Sequence, residues 1–297
     1  MTNTGILDEI KSTFKYGNML TRLIYINLGV FLAVKIIDIF YFLFAVYGAN
    51  FLVEWLAVPA DLSQLLYKPW TVFTYMFLHQ QFLHILFNLL WLFWFGKIFL
   101  EYLTGKQLLN VYLLGGLSGA FIYILAYNIF PGFKDVLPVS IALGASASIL
   151  AIVVAISVYV PNYTVYLMFL GPVKLKYIAM FSVFFDIIFL LDGNAGGHIA
   201  HLGGALFGYF YITQLRQGKD ISSGFGKTID NVTSWFKPKS NLKVTYRRKG
   251  ETDMEFNARK NVEQKEIDRI LEKIAKSGYE SLSAKEKEIL FRQGREY

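Results

Sequence analysis

The chain has 297 residues, of which 55% are hydrophobic and 17% charged, with 29 Lys+Arg, 22 Asp+Glu, four His and no Cys. That is too apolar for a soluble protein of this length, so a bilayer is expected as one of its solvents. The missing cysteine excludes disulfides, thiolate catalysis and Cys-ligated metals.

Charge divides the chain in two. Residues 1–215 hold ten basic and nine acidic side chains, whereas residues 216–297 hold nineteen and thirteen. The front is built for lipid and the tail for water. The net charge of +7 is concentrated in the tail and at the ends of apolar segments, where holding orientation against anionic lipid accounts for it without a nucleic-acid partner.

In chain order, residues 1–22 read as a cytoplasmic N-terminal segment. A six-span core follows over residues 23–215. A membrane helix needs about 20 apolar residues to cross a core of ~30 Å, and six stretches meet or approach this. They are Tyr25 to Tyr47, Phe82 to Leu103, Leu108 to Phe130, Gly144 to Val160, Lys174 to Leu191 and Gly197 to Leu215. The first is too long for a signal-peptide core and lacks a small-residue cleavage site, so it is expected to be retained. Residues 48–81 are apolar too, but Glu54, Pro59, Asp61, Lys68 and Pro69 interrupt them, and with Trp55 and Trp70 they read as an interfacial loop.

An even number of spans puts both termini on one side. Lys11, Lys15, Arg22, Lys97, Lys106, Lys174, Lys176, Arg216 and Lys219 flank that side, against Lys68 and Lys134 on the other. The positive-inside bias therefore sets the termini in the cytoplasm, in what is expected to be a bacterial inner membrane. Residues 216–261 read as a basic linker, rich in Lys, Ser and Gly near its start. Residues 262–297 read as a cytoplasmic helical hairpin. Val262, Ile267, Ile270, Leu271 and Ile274 recur at helical spacing until Gly278, and Ser283 with Glu286 makes a capping box for a second helix. So small a hairpin has little core of its own and is expected to dock on a partner, a second copy or the membrane face.

Polar residues inside the spans carry the functional signal. Near the outer starts of spans 2, 4 and 6 lie His84 and Asn88, then Ser146, then His201. Spacing of four puts His84 and Asn88 on one helical face. The fourth span, bounded by Gly144 and Pro161, has roughly 17 residues and reaches about 25 Å, so Ser146 is expected below the outer surface, at the floor of a pit. Gly204 and Gly208 form a small-residue ridge on span 6, facing Ala147, Ala151 and Ala155 on span 4. Two such faces let backbones approach closely, as a serine and a histidine on separate helices need in order to share a hydrogen bond. A serine hydroxyl is a weak nucleophile until a positioned base takes its proton, and His is the usual base near neutral pH. The oxyanion that attack on a carbonyl creates needs donors, which the Ser146 backbone N–H, the Asn88 amide and the His84 ring supply. No acid is placed as an obvious third member, since Asp186 lies mid-span on segment 5 and Asp192 at its outer end. A dyad is the simpler expectation.

These residues resemble the rhomboid family of intramembrane serine proteases. The resemblance rests on HxxxN in His84-Ile-Leu-Phe-Asn88, GxSx in Gly144-Ala-Ser146-Ala, and AHxxGxxxG from Ala200-His201 through Gly204 to Gly208. Each motif alone is weak; three in family order on the matching spans are strong, and they cover roughly residues 20–215. The resemblance implies an all-α polytopic bundle and Ser146 as nucleophile, with His201 as base and His84 and Asn88 as oxyanion stabilisers. It also implies single-span transmembrane proteins as substrates, and no metal or cofactor. It departs from the family at Ala147, where Gly is common, and in the loop after span 1, where Lys68 stands instead of the expected Arg.

Blander roles compete at several positions. Ser148, two helical positions on, points away from Ser146. His198 fits a pit-rim or supporting role, and His79 supports the interfacial loop. Asn88 bonding across helices is the ordinary use of Asn in a membrane. Lys35 and Asp38, one turn apart, read as an ion pair, although intramembrane charge also marks transport paths. The rival functions are a non-catalytic rhomboid-like protein that binds clients and a transporter, which predicts an internal repeat symmetry that the sequence lacks.

Overall fold

The computed structural model of the chain describes residues 5–167, 171–191, 193–226 and 253–294. It divides into two compact units, Met1–Phe236 and Lys237–Tyr297.

The first unit is an all-α bundle. Helix α1 (Ile6–Tyr16) precedes α2 (Met19–Leu43), which begins six residues before the expected first span. The extra turns form because Asn18 caps the helix, accepting from the Thr21 amide at 2.9 Å. Arg22 closes the corner by donating to the carbonyls of Phe14 and Lys15 at 3.2 and 2.8 Å, groups that the C-terminus of α1 leaves without helical partners. The Lys35–Asp38 ion pair is present at 2.9 Å. Asp38 also accepts from Asn50 at 2.7 Å, tying α2 to the segment that follows.

That segment is folded rather than irregular. Asn50 and Asp61 cap the short helices α3 (Phe51–Leu56) and α4 (Leu62–Tyr67), and α5 (Thr71–Thr74) leads into a 3-10 turn at Tyr75–Phe77. Trp55 and Trp70 stack with ring centroids 5.6 Å apart, and the Trp70 indole donates to the Trp55 carbonyl at 2.8 Å. Strand β1 (Val58–Pro59) pairs antiparallel with β2 (Ile141–Ala142), so the segment is laced to the loop that precedes Ser146.

Five helices complete the bundle: α6 (Phe82–Tyr102), α7 (Gly105–Ile129), α8 (Ser146–Tyr159), α9 (Leu175–Ile188) and α10 (Ala195–Arg216). With α2 they stand where the six apolar stretches predict. Among the described residues, α2, α6 and α7 are long and apolar enough to cross a membrane, and α8 is a shorter apolar helix of 14 residues. Between α8 and α9 runs a hairpin, β3 (Thr164–Leu167) with β4 (Gly171–Lys174), in the register Thr164↔Lys174.

The core sits where α7, α8 and α10 meet. Every residue of α8 from Ala147 to Ser157 is buried. A Cβ on Gly115, Gly116 or Gly119 of α7 would strike Ala151, Ser148 or Ala147 respectively, so only glycine allows these two helices their separation. On the neighbouring face of α8, a Cβ on Gly204 would run into the carbonyl oxygen of Ala147, and one on Gly208 into that of Ala151.

The stretch expected as a basic linker, residues 216–261, differs at both ends. Arg216 is the last residue of α10, and Ser222 is buried against α7, its hydroxyl accepting from Asn110 at 3.0 Å. At the far end, a helix spans Asp253–Ser277, starting well before Val262. Residues 227–252 of that stretch lie outside the described residues.

In the second unit this helix stops at Gly278, whose φ of 76° suits glycine. The next helix runs Ala284–Gly294. Ser283 and Glu286 cap it reciprocally, at 2.7 and 3.3 Å. Lys273 and the Ser283 amide hold the Glu286 carboxyl down at about 2. Ile270 and Leu282 are buried, while Val262 and Leu271 remain exposed.

Because backbone, not a flexible side chain, faces Gly204 and Gly208, even the smallest enlargement has nowhere to go. Gly204→Ala is expected to lower the stability of the detergent-solubilised protein by about 1–3 kcal/mol, and Gly204→Leu or Gly208→Leu to prevent native assembly. Thermal denaturation followed by circular dichroism checks this; an unchanged midpoint in Gly204→Ala would mean that α8 and α10 do not pack through this ridge.

Candidate active site

Ser146 is the first residue of α8, placed there by a glycine. Gly144 has φ +123°, a conformation that side-chain-bearing residues rarely adopt, and it swings the chain from β2 into the helix. Two bonds fix the turn: the Gly144 amide donates to the Tyr75 carbonyl at 2.9 Å, and the Ala145 amide to His79 Nε2 at 3.3 Å. The first turn of α8 thus presents backbone N–H groups without helical acceptors, with the positive end of the helix dipole, beside the Ser146 hydroxyl.

His201 lies on the second turn of α10, and the Gly204 contact brings it across to Ser146. Its Nε2 stands 2.6 Å from Ser146 Oγ, while its Nδ1 stands 2.8 Å from Asp186 Oδ1. The same carboxylate oxygen is 2.7 Å from His198 Nδ1. The sequence expectation of a site without a placed acid is therefore corrected: Asp186, in the last turn of α9, reaches both histidines. Asp192 lies outside the described residues. Spacing along α9 alone could not reveal this contact, because Asp186 meets residues 12 and 15 positions away only after α9 folds against α10. The one signal available was the expense of a carboxyl within an apolar segment.

His84 and Asn88 line the same cavity as Ser146 and His201, one of about 990 Å³ that also touches Phe87 and Trp91 on α6 and Phe181 and Phe185 on α9. A Cβ placed on Gly144 would lie 3.0 Å from His84 Nε2 and 3.7 Å from Ser146 Oγ. Gly144 therefore keeps open the space between the hydroxyl and that ring. Asn88 Nδ2 donates one proton to the His84 carbonyl at 2.9 Å and has a second N–H to offer. Neither His84 nor Asn88 is hydrogen-bonded to Ser146. Ser148 is fully buried, with its hydroxyl 3.8 Å from Met76 Sδ, and packs against α7.

His79, in the segment between the 3-10 turn and α6, is also fully buried. Its Nδ1 lies 3.4 Å from the Phe77 carbonyl and its Nε2 accepts from Ala145, which together require the neutral Nδ1–H tautomer. Its ring meets His84 edge-on at 5.1 Å. Burial first, and then the neighbouring His84, push its pKa down to about 4. His79 thus supports both the turn before Ser146 and the His84 wall of the cavity.

Among the described residues, Asp186, His198 and His201 are also the group whose ligand-type atoms, all within 4.8 Å, could hold a metal ion. The 2.7 and 2.8 Å separations between Asp186 and the two rings are those of N–H···O hydrogen bonds, which satisfy the same atoms with protons.

A family model described as Rhomboid domain matches residues 67–218. A second, described as a family of unknown function (DUF6576), matches residues 251–294 and takes in the two-helix tail. RHOMBOID-like protein 12, mitochondrial, of Arabidopsis thaliana is 28% identical over 158 residues, which are 50% of this chain and 47% of that protein. The chain thus spans about half the length of this relative.

Two outcomes are expected from this geometry. Gly144→Ala should abolish reaction of Ser146 with an acylating or phosphonylating probe, both by strain at positive φ and by filling the space beside His84; normal labelling would show that this space is not used. His79 gives a pH signature. Its proton is bound in the unfolded chain near 6.5 but in the folded chain only near 4. Stability is therefore full above pH 6.5 and falls as pH drops from 6.5 to 4, by on the order of 3 kcal/mol. His79→Gln should flatten that slope relative to the unmutated protein in thermal denaturation across this window. Parallel curves for the two proteins would count against a neutral, buried His79.

Proposed function

The chain belongs to the Rhomboid domain family, and on that premise we propose that it is an intramembrane serine endopeptidase. Its substrates on this reading are single-span transmembrane proteins, cut in or near the outer half of the helix. The observation that carries the reading is the 2.6 Å contact between Ser146 Oγ and His201 Nε2 at the floor of the cavity.

In the proposed reaction His201 Nε2 takes the Ser146 proton as Oγ bonds to the scissile carbonyl carbon. Charge moves to the carbonyl oxygen, where the amides of the first turn of α8, Asn88 and His84 stabilise it. His201 then gives its proton to the departing amine as the C–N bond breaks, leaving an ester on Ser146. Water enters the cavity, loses a proton to His201 and attacks the ester; collapse of the second tetrahedral intermediate returns the proton to Oγ and releases the new carboxylate. No step requires a metal or cofactor. The aromatic flanks of the cavity, Phe87 and Trp91 on one side and Phe181 and Phe185 on the other, support an apolar substrate.

Both termini are proposed to be cytoplasmic, supported by nine flanking basic residues on that side against Lys68 and Lys134. A bacterial inner membrane is the setting expected from the sequence; the relative's name places that protein in the mitochondrion. The tail lies on the cytoplasmic side in this arrangement, open to a partner there. The competing reading, a client-binding protein without protease activity, is the one that the relative's description as rhomboid-like leaves open.

A fluorophosphonate probe separates the two. Purified protein should label, Ser146→Ala should not, and Ser148→Ala should label normally; no Ser146-dependent labelling or cleavage of any transmembrane substrate would favour client binding. Asn88→Ala is expected to lower kcat by ~10²-fold with KM little changed, as for one oxyanion donor. A loss confined to KM would make Asn88 a packing residue.

A further inference from the structure

The proposed reaction leaves one buried charged group without a task. Asp186 is 5% exposed in the last turn of α9, and among the described residues its hydrogen bonds are those to His198 and His201. Resting on the protease reading above, we propose that Asp186 is a positioning residue. It makes the Ser146–His201 pair a triad, and His198 serves as the clamp on its carboxylate.

A carboxylate has no proton to give, so a ring nitrogen at hydrogen-bond distance from it must be N–H. Both Nδ1 atoms lie at such a distance, 2.7 and 2.8 Å, from the single oxygen Oδ1. His201 is thereby held in its Nδ1–H tautomer, which leaves the lone pair on Nε2, the atom 2.6 Å from Ser146 Oγ. The opposite tautomer would aim an N–H at the hydroxyl and could not take its proton. When that proton does arrive, the imidazolium forms beside a carboxylate that steadies it without itself becoming protonated.

His198 is explained by the same oxygen. It precedes His201 by three positions, so the two rings leave α10 on one face and converge on Oδ1. A carboxylate held by one bond can turn about its own axis; one held from two sides on the same oxygen cannot do so without breaking both. His198 thus acts on His201 only through Asp186. The arrangement also ties α9 to the dyad. Only Leu175, Ala179 and Asp186 of α9 are buried, and Asp186 is the one of these in its C-terminal half. The placement of that half of α9 is therefore felt at the base.

Nitrogen-15 spectra of the full-length protein in micelles, labelled at histidine, test the core of this without any turnover. His201 should show the neutral Nδ1–H pattern in the unmutated chain, with or without EDTA, and lose it in Asp186→Ala. In activity, Asp186→Asn and Asp186→Ala should lower kcat by at least ~10²-fold with KM within a few-fold, the behaviour of a lost tautomer lock. His198→Ala should cost roughly tenfold in the unmutated background and nothing further in Asp186→Ala, because its effect passes through that carboxylate. An Nε2–H pattern in the unmutated protein, a kcat kept within threefold in Asp186→Ala, losses that simply multiply in the double variant, or a pattern that appears only with metal present would each overturn the proposal. Should Asp186→Ala fail to fold, Asp186→Asn and the spectrum of the unmutated chain still decide it. A protein with no Ser146-dependent activity would sink the protease reading instead, and the spectrum would still judge this one.

Discussion

The 2.6 Å bond between Ser146 and His201 joins two helices that meet almost backbone to backbone, and the rest of the site depends on that approach. Gly204 and Gly208 make it, each seated on a carbonyl of α8 with no room for a methyl group. The three glycines of α7 repeat the device on the neighbouring face, so α8 is held between two smooth surfaces. Helices in lipid gain nothing from hiding apolar side chains, which are at ease in either place; close van der Waals contact is what draws them together. Small residues are thus both the adhesive and the ruler of this bundle. The functional side chains are placed by contacts in which they take no part.

Around this contact several polar groups are answered by another. His79 accepts from the Ala145 amide, Asn88 donates to a helical carbonyl, and Asp186 receives two ring N–H groups. In a low-dielectric interior an unanswered donor or acceptor is costly, so such a chain of satisfied groups has few alternative arrangements.

Much of this could be read along the chain, and what could not has a common physical cause. Apolar runs located the six helices, and the spacings His84–Asn88 and Gly204–Gly208 identified helical faces, because both properties repeat within one element. The capping box at Ser283 and Glu286 was legible for the same reason. Asp186 was visible as a charge in an unlikely place, but its partners lie on another helix, and no periodicity within α9 points to α10. The folded character of residues 48–81 escaped notice because its helices are a turn or so long, and its order comes from caps, a stacked tryptophan pair and a two-residue ladder to a distant loop. Helix α1 lies within residues 1–22, which the sequence presents only as a cytoplasmic N-terminal segment.

The burial of α8 carries one more consequence. Matching between helix length and bilayer thickness is enforced at the surface where protein and lipid touch, since it is there that exposed hydrocarbon or stranded polar groups would be penalised. From Ala147 to Ser157 this helix is enclosed by protein. It is solvated by its neighbours, and its 14 residues, rising about 21 Å, answer to them alone. The level at which Ser146 sits is therefore set by the glycine contacts with α7 and α10, and a bilayer a few ångströms thicker or thinner would press on the outer helices while leaving that level to the protein.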